Sequence, residues 1–297
     1  MNFSLNQQGI ALIQVLLISA VLSVLALYLT TTAKDQIKIA QWQDDKVAAL
    51  IAVHNTEAEL LYSLLVHSKI SNNQASHAQA NIVNNWNFFN APFTINGNVK
   101  VEIQDQSALI HAHFPDKQNL EALINYQGYS IKEANSIIDS LLDWQDIDNI
   151  PRANGEESLD TPSMIRNGAV PDVHDFSFIE NIPANLFQTL VKNTTLYGKG
   201  FFNPMNSPKE LLSAITSVTI AEQVMQLREQ KKLTPGQFSQ LTGITENDKV
   251  ILYPSNILAI ELIGSQGIST VKKNITVELN PYANEFQVPI NILSSSG

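Results

Sequence analysis

The chain has 297 residues, of which 44% are hydrophobic and 15% are charged, and its formal net charge is −10. This length and apolar content suffice for one or two folded domains and exclude wholesale disorder. The negative charge repels phosphate groups, which argues against general nucleic-acid binding, and the absence of cysteine excludes disulfides and thiolate metal sites.

An apolar run without any charged side chain fills residues 10–29. A helix of this length spans about 30 Å, the thickness of a bilayer core, so we predict a transmembrane helix. A secretory signal peptide and a buried core helix are the alternatives. The preceding residues carry no basic side chain and no cleavage signal follows the run, which is not typical of a signal peptide.

The helical pattern continues past the apolar run, because no proline or glycine occurs between Gly9 and Pro92. We predict one helix over residues 10–66, about 85 Å long, whose second half is amphipathic and packs under a sheet. Its apolar stripe consists of Val47, Leu50, Ile51, His54, Ala58, Leu61 and Leu65. Lys34 and Lys38 follow the run, so the positive-inside rule alone would place this half in the cytoplasm.

A polar segment over residues 67–86, rich in Asn, Ser and Gln, is predicted to be a loop. Two stretches of alternating polarity follow, at residues 99–103 and 109–114, and they predict a β-hairpin. His111 and His113 fall on one face of the second stretch. We interpret them as solvent-facing strand residues; a metal pair is the alternative, but no third ligand is close in sequence.

Helical periodicity dominates residues 116–249. Gly128 is predicted to end one helix, and Ser130 to cap the next. Further helices are expected to begin near Pro183, Ser207 and Thr219. Residues 207–244 have the spacing of a helix-hairpin-helix module, but their hairpin lacks the glycine that presents backbone N–H groups to phosphate. We therefore interpret them as a packing module and not as a DNA-binding one.

Strand patterns return over residues 257–263 and 269–279, with a turn at 264–267, and residues 286–293 are expected to form an edge strand. Strands on both sides of a helical block predict an α+β fold. In this fold a long N-terminal transmembrane helix packs on a small antiparallel sheet, into which a large all-α domain is inserted.

An acidic loop follows the second helix of this block, and its carboxylates are Asp143, Asp146, Asp148, Glu156, Glu157 and Asp160. Ca²⁺ takes six to eight oxygen ligands, so the loop is a candidate calcium site, although its spacing is not that of an EF-hand. The predicted ligands, which flank the turn at residues 151–155, are Asp146, Asp148, Glu156 and Glu157. The alternative is a solvated loop in which Asp148 forms a surface ion pair with Arg152.

No enzyme motif is present in the sequence. It has no G-x-S-x-G, no H-E-x-x-H, no phosphate-binding glycine-rich loop and no cysteine nucleophile, and its histidines are scattered. We therefore predict that the protein is not an enzyme and has no small-molecule substrate.

Gly9 followed by the apolar run resembles the start of type IV pilin-like proteins. Residues 140–157, which include an Asp-Trp-x-Asp-x-Asp stretch, resemble the K-type minor pseudopilin family of type II secretion systems (general secretion pathway protein K), as do residues 168–190 and 198–215. Most pilin-like proteins carry Glu as the fifth mature residue. Here that residue is Gln14, and absence of the Glu is a mark of the K-type family.

This resemblance implies that a prepilin peptidase cuts between Gly9 and Ile10 and methylates the new N-terminus. It also implies a single-pass protein of the bacterial inner membrane with its bulk in the periplasm, a helical domain that binds calcium, and other minor pseudopilins as partners. Gln14 has no charge to pair with the amine of a subunit stacked above it, and the insert would block such a subunit.

The implied function is structural: the protein sits at the pseudopilus tip, initiates assembly and supports protein export across the outer membrane. A minor pilin of a type IV pilus, with a priming or adhesion role, and a membrane-tethered DNA receptor are the alternatives. The expected domain boundaries are a leader at 1–9, a transmembrane part at 10–30, a periplasmic helix with the first strands at 31–115, the helical domain at 116–252 and the returning strands at 253–297.

Overall fold

The first described element is a single long helix, α1 (Gln7–Val66). The structure, a computed structural model, describes residues 7–70, 80–95, 97–155 and 166–297. Side chains 11–30 are exposed, and the helix is long and apolar enough to cross a membrane. The hydroxyl groups of Ser19, Ser23 and Thr30 donate to main-chain carbonyls three or four residues earlier, at 2.7–2.9 Å. This lowers the cost of placing them in hydrocarbon.

The second half of α1 packs against the sheet, and its buried apolar residues are Ala49, Val53, Leu60 and Leu64. The predicted apolar stripe is correct only at its end: Leu61 and Leu65 pack against this core, whereas Val47 and Ile51 are 56% and 52% exposed. This half of the helix is apolar on two sides, so spacing did not identify the buried one. A Cβ atom on Gly264 of the sheet would lie 2.9 Å from the carbonyl oxygen of Ala49, so the closest approach uses small residues.

Seven strands follow in the described ranges: β1 (Phe93–Ile95), β2 (Val99–Asp105), β3 (Ile110–His111), β4 (Thr194–Thr195), β5 (Ile257–Gln266), β6 (Ser269–Leu279) and β7 (Ile290–Ser296). Five of them form an antiparallel sheet in the order β1–β2–β5–β6–β7, and β3 pairs with β4 in parallel. Apolar side chains of the five-stranded sheet join those of α1 in one core.

The predicted hairpin does not form. β2 pairs with β1 and β5, whereas β3 lies in the separate parallel pair. A 3-10 turn over Gln106–Ala108, capped by the Asp105 carboxylate, turns the chain out of the sheet. The prediction for β6 is confirmed, β5 extends through the expected turn to Gln266, and β7 begins later than predicted, at Ile290.

The insert between β2 and β5 contains the helices α3 (Lys117–Tyr126), α4 (Ile131–Asp143), α5 (Ala184–Asn193), α6 (Lys209–Ile215), α7 (Val218–Glu229) and α8 (Pro235–Thr242). A one-turn helix, α2 (Ala80–Val83), lies in the predicted polar loop, whose residues 71–79 are outside the described residues. Gly128, with φ of +95°, ends α3, and Ser130 caps α4, as predicted. The helix expected to begin near Ser207 is α6, and its N-cap is Pro208.

The described residues of the insert form two apolar cores of their own. The first lies among α3, α4 and α5 and includes Leu123, Leu141 and Leu186, and the second lies among α6, α7 and α8 around Phe238. Trp144, which follows α4, packs against the first core. The α+β fold, with a long N-terminal helix on a small antiparallel sheet and a helical insert, is confirmed.

Candidate cation site and the junction between sheet and insert

The acidic loop begins where α4 ends, at the fully buried Asp143. The backbone N–H of Arg152 donates to this carboxylate at 3.1 Å, and the Arg152 guanidinium forms ion pairs with both Asp143 and Asp146. Asp148 instead accepts from the N–H of Ile150 at 2.9 Å. The predicted surface pair between Asp148 and Arg152 is therefore wrong, because Arg152 is drawn to the buried charge at the helix end.

The second half of this loop lies against α4. Asn154 donates from its backbone and its side-chain amide to the Asp139 carboxylate, at 3.2 and 2.9 Å. A Cβ atom on Gly155 would overlap the Asp143 carboxylate, so any other residue at this contact would have to displace that side chain. The predicted ligands Glu156 and Glu157 follow Gly155 and lie outside the described residues, as does Asp160.

Within the part of the chain that the structure describes, two oxygen atoms at the head of the loop are buried without a hydrogen-bond partner: Oδ1 of Asp146 and Oε1 of Gln145. Carboxylate and amide oxygens are the ligand types that Ca²⁺ prefers. An open cavity of about 640 Å³ lies beside them, with Phe114 and Ile147 in its lining. Among the described residues, no three acidic or histidine side chains are grouped to hold a metal. The structure thus brings oxygen atoms of Asp146 and Gln145 together as part of a donor set. The carboxylate of Asp148 instead binds the backbone N–H of Ile150.

His111 of β3 and His113, two residues further on, are not solvent-facing, which corrects the interpretation from sequence. His111 and His113 are half-buried, with ring centroids 5.5 Å apart. Nδ1 of His111 accepts from the N–H of His113 at 3.2 Å, and Nε2 of His113 lies 2.8 Å from the carbonyl oxygen of Val170. Burial, and then the neighbouring His113, lower the pKa of His111. Each ring thus uses a nitrogen atom in holding the fold.

A second polar centre, which the sequence did not predict, surrounds the fully buried carboxylate of Asp105 at the end of β2. The side-chain amides of Asn203 and Asn206 donate to Oδ2 at 2.9 and 3.2 Å, and the hydroxyls of Ser107 and Ser255 donate to Oδ1 at 2.8 and 2.6 Å. Residues at the start of the insert, within it and at its end therefore meet at one buried carboxylate. The close spacing of Asn203 and Asn206 is the feature of the sequence that could have indicated this centre.

Lys69, just beyond α1, joins the same centre. Its ammonium group donates to the carbonyl oxygen of Ser255 at 2.6 Å and to the side chain of Asn256. Burial lowers the pKa of Lys69 to about 8, and the negative charge of Asp105 opposes this shift. The end of the long helix is thereby linked to the point where the insert returns to the sheet.

Arg228 of α7 connects the second core of the insert to Phe89, which lies beside β2 of the sheet. It is buried, and its guanidinium donates to the carbonyl oxygens of Met205 and Ser207 and lies 5.0 Å from the ring centroid of Phe89. Burial lowers its pKa to about 9. The helix-hairpin-helix segment therefore packs within the protein, and the hydroxyl of Ser217, which accepts from the N–H of Ile220, caps α7.

The residues predicted from the N-terminal resemblance lie on α1. Gly9 and Ile10 belong to its first turns, and Gln14 is exposed in the membrane-length part of the helix.

Comparison with known proteins connects this architecture to a secretion system. Residues 99–199 match the model of the family described as "Type II secretion system (T2SS), protein K". A chain in the crystal structure of the GspK–GspI–GspJ complex from the enterotoxigenic Escherichia coli type 2 secretion system matches with a TM-score of 0.54 and 15% identity. The match covers 86% of this chain and 98% of that chain. No curated protein sequence matches.

These findings support a type II secretion minor pseudopilin of the K type, a family of structural subunits. They favour neither a type IV pilus subunit nor a DNA receptor. The long apolar helix is consistent with a single-pass membrane anchor.

Proposed function

We propose that this K-type minor pseudopilin caps a periplasmic pseudopilus, starts its assembly and supports protein export across the outer membrane. The observation that carries the proposal is the helical insert. It leaves the sheet after β2 and returns at β5, at the end of the sheet near the C-terminus of α1. A subunit stacked above would have to occupy the same space, so the tip has room for one copy.

We propose that α1 holds the protein in the inner membrane, with residues 1–9 as a cytoplasmic leader, 10–30 across the bilayer and the rest in the periplasm. Residues 31–115 and 253–297 would then form the pseudopilin domain and 116–252 the inserted helical domain. The support is the contrast within α1, whose first part is exposed and whose second part packs on the sheet. The resemblance to pilin-like proteins supports this orientation, whereas the basic residues after the apolar run favour the opposite one.

Processing by a prepilin peptidase between Gly9 and Ile10, followed by methylation of the new N-terminus, would release the mature subunit. Gln14 would then be its fifth residue. A carboxylate at this depth costs several kcal/mol unless it is paired. A tip subunit has no amine above it to pair with, so the neutral amide suits that position.

Partners of the proposed tip are other minor pseudopilins, as in the GspK–GspI–GspJ complex that the fold resembles. We assign the protein no enzymatic activity, no small-molecule substrate and no nucleic-acid partner, because the chain is acidic and its role is to assemble.

Calcium binding by the acidic loop forms part of this proposal. The proposed ligands are Asp146, Asp148, Glu156 and Glu157. The buried oxygens of Asp146 and Gln145 support this proposal, because carboxylate and amide oxygens are ligand types that a hard cation prefers. Calcium would supply positive charge that holds the loop on α4. Arg152 now supplies that charge, so a bound cation would compete with its guanidinium.

Export in the native host tests the proposed function. Removal of the chain should block release of type II cargo and leave pilus-dependent adhesion and DNA uptake unchanged, and the full-length chain should restore release. If release continues without the chain while adhesion or DNA uptake is lost, one of the alternatives is correct.

A further inference from the structure

The outer strand of the sheet, β7, has a free edge in the part of the chain that the structure describes. The N–H of Asn280 donates to the carbonyl oxygen of Pro289 at 2.8 Å, so the main chain of Pro289 faces β6. Antiparallel pairing alternates, and the main chain of Asn291 therefore also faces β6. The N–H and C=O groups of Ile290 and Ile292 then point away from the sheet and form one half of a ladder.

This edge lacks the usual protection against pairing. Natural sheet edges are kept short or carry charged residues or proline. β7 has seven residues, none of them charged and none proline, and the register shift against β6 lies beyond residues 290–292. By contrast, the opposite edge strand, β1, has only three residues. The fold thus protects one edge and leaves the other open.

The loop that leads into β7 presents two aromatic side chains to solvent. Tyr282 is 97% exposed and Phe286 is 88% exposed. The loop is closed by its own hydrogen bonds: the side-chain amide of Asn280 donates to the carbonyl oxygen of Val288 at 3.1 Å, and that of Asn284 accepts from the N–H of Phe286 at 3.0 Å. Large aromatic side chains on an ordered loop are typical anchors of protein interfaces.

We propose that β7 and the loop at residues 280–289 form a docking site for an extended segment of another pilin-like subunit, which adds to the sheet beside β7. Only an extended main chain can match the alternating N–H and C=O groups of this edge. The occupant is a different chain and not a second copy, because the proposed tip, on which this inference rests, has room for one copy. A neutral or basic segment fits best, since this chain carries a net charge of −10.

Hydrogen exchange on the full-length chain in detergent, alone and mixed with the other minor pseudopilins of its host, tests the proposal. The amides of Ile290 and Ile292 should exchange at least ~10-fold more slowly in the mixture, whereas the amide of Asn291, already bonded to β6, should change little. Ile292→Pro removes one outward N–H and should weaken binding at least ~10-fold, and Ile292→Ala, which keeps the N–H, should weaken it less.

A paired variant, Tyr282→Ser with Phe286→Ser, covers the case in which Ile292→Pro fails to fold, because both aromatic side chains are exposed. This variant should keep the wild-type melting temperature and lose binding. Co-elution of the wild-type chain with its partners without slower exchange at residues 290–296 would overturn the inference and leave the proposed function intact. Absence of both co-elution and protection would overturn both. Protection that appears in the chain alone as its concentration rises would mean that a second copy occupies the edge, which also contradicts the proposal.

Discussion

Asp105 and Ser255 are 150 residues apart in the chain, and the hydroxyl of Ser255 donates to the Asp105 carboxylate at 2.6 Å. Asp105 ends β2, where the chain leaves the sheet, and Ser255 comes two residues before β5, where the chain returns. One buried charge therefore closes the base of the insert. Because four side chains and two backbone N–H groups donate to it, its loss would leave several donors without a partner.

Replacement of this carboxylate should destabilise the protein strongly. We expect Asp105→Ala to lower the free energy of unfolding by roughly 3–5 kcal/mol, the range for breaking a buried charged network. Urea denaturation of the full-length chain in detergent measures it, with Asp44→Ala on the exposed face of α1 as the matched control. Equal midpoints for the two variants would show that Asp105 does not hold the junction.

Lys69 predicts how stability depends on pH. Its pKa is about 8 in the folded protein, and 10.5 is the ordinary value, which applies to the unfolded chain. Between these two pH values the unfolded chain therefore binds more protons. The contribution of Lys69 to stability should therefore be lowest below pH 8 and rise as the pH increases towards 10.5. Unfolding midpoints at pH 7.5, 8.5 and 9.5 should show this rise in the wild type. It should be smaller in Lys69→Met, and parallel pH profiles for the two proteins would contradict the assignment.

Gly155 predicts a steric effect at the acidic loop. An added methyl group would overlap the Asp143 carboxylate, so Gly155→Ala should displace the buried ion pair with Arg152 and cost about 1–3 kcal/mol. Gly236→Ala is the control, because its Cβ atom would meet open space in α8 and should be neutral or slightly stabilising. Thermal melts of both variants measure the difference, and a melting temperature for Gly155→Ala at or above that of Gly236→Ala would refute the contact.

Calcium should stabilise the insert, and the Arg152 guanidinium should compete with calcium for the carboxylates of the loop. A ligand that binds only the folded state adds RT ln(1 + [L]/Kd), about 2.7 kcal/mol at a hundredfold excess over Kd. We expect millimolar calcium to raise the melting temperature, and to raise it further in Arg152→Met, where two carboxylates lose their competing cation. Arg166→Met, which removes the pair with Asp175, serves as the control.

Identical melting curves with calcium and with chelator would contradict the calcium proposal. A calcium shift that persists in a double variant, Asp146→Ala with Asp148→Ala, would move the site elsewhere in the chain, for example towards Asp172 and Asp175.

Processing predicts the mass of the mature chain. Protein isolated from the native membrane should begin at Ile10 and carry one additional methyl group. Intact-mass and N-terminal peptide mass spectrometry can determine both. A mature chain that begins at Met1, or after Ala33, would contradict cleavage by a prepilin peptidase.

Local features of the structure could be predicted from the sequence, and features that depend on distant partners could not. The extent of α1, the stop at Gly128 and the cap at Ser130 follow from neighbouring residues, and the structure agrees with them. The buried face of α1 could not be predicted because apolar residues lie on two sides of it. The Asp105 centre could not be predicted either, because its donors Asn203 and Ser255 lie 98 and 150 residues away.

The most direct test of the central claim is the composition of the complex that the full-length chain forms with the other minor pseudopilins of its host. Co-purification in detergent followed by native mass spectrometry should give a heteromeric complex with one copy of this chain. A chain that elutes alone in the presence of all candidates, or that forms a polymer of many copies of itself, would contradict a tip subunit.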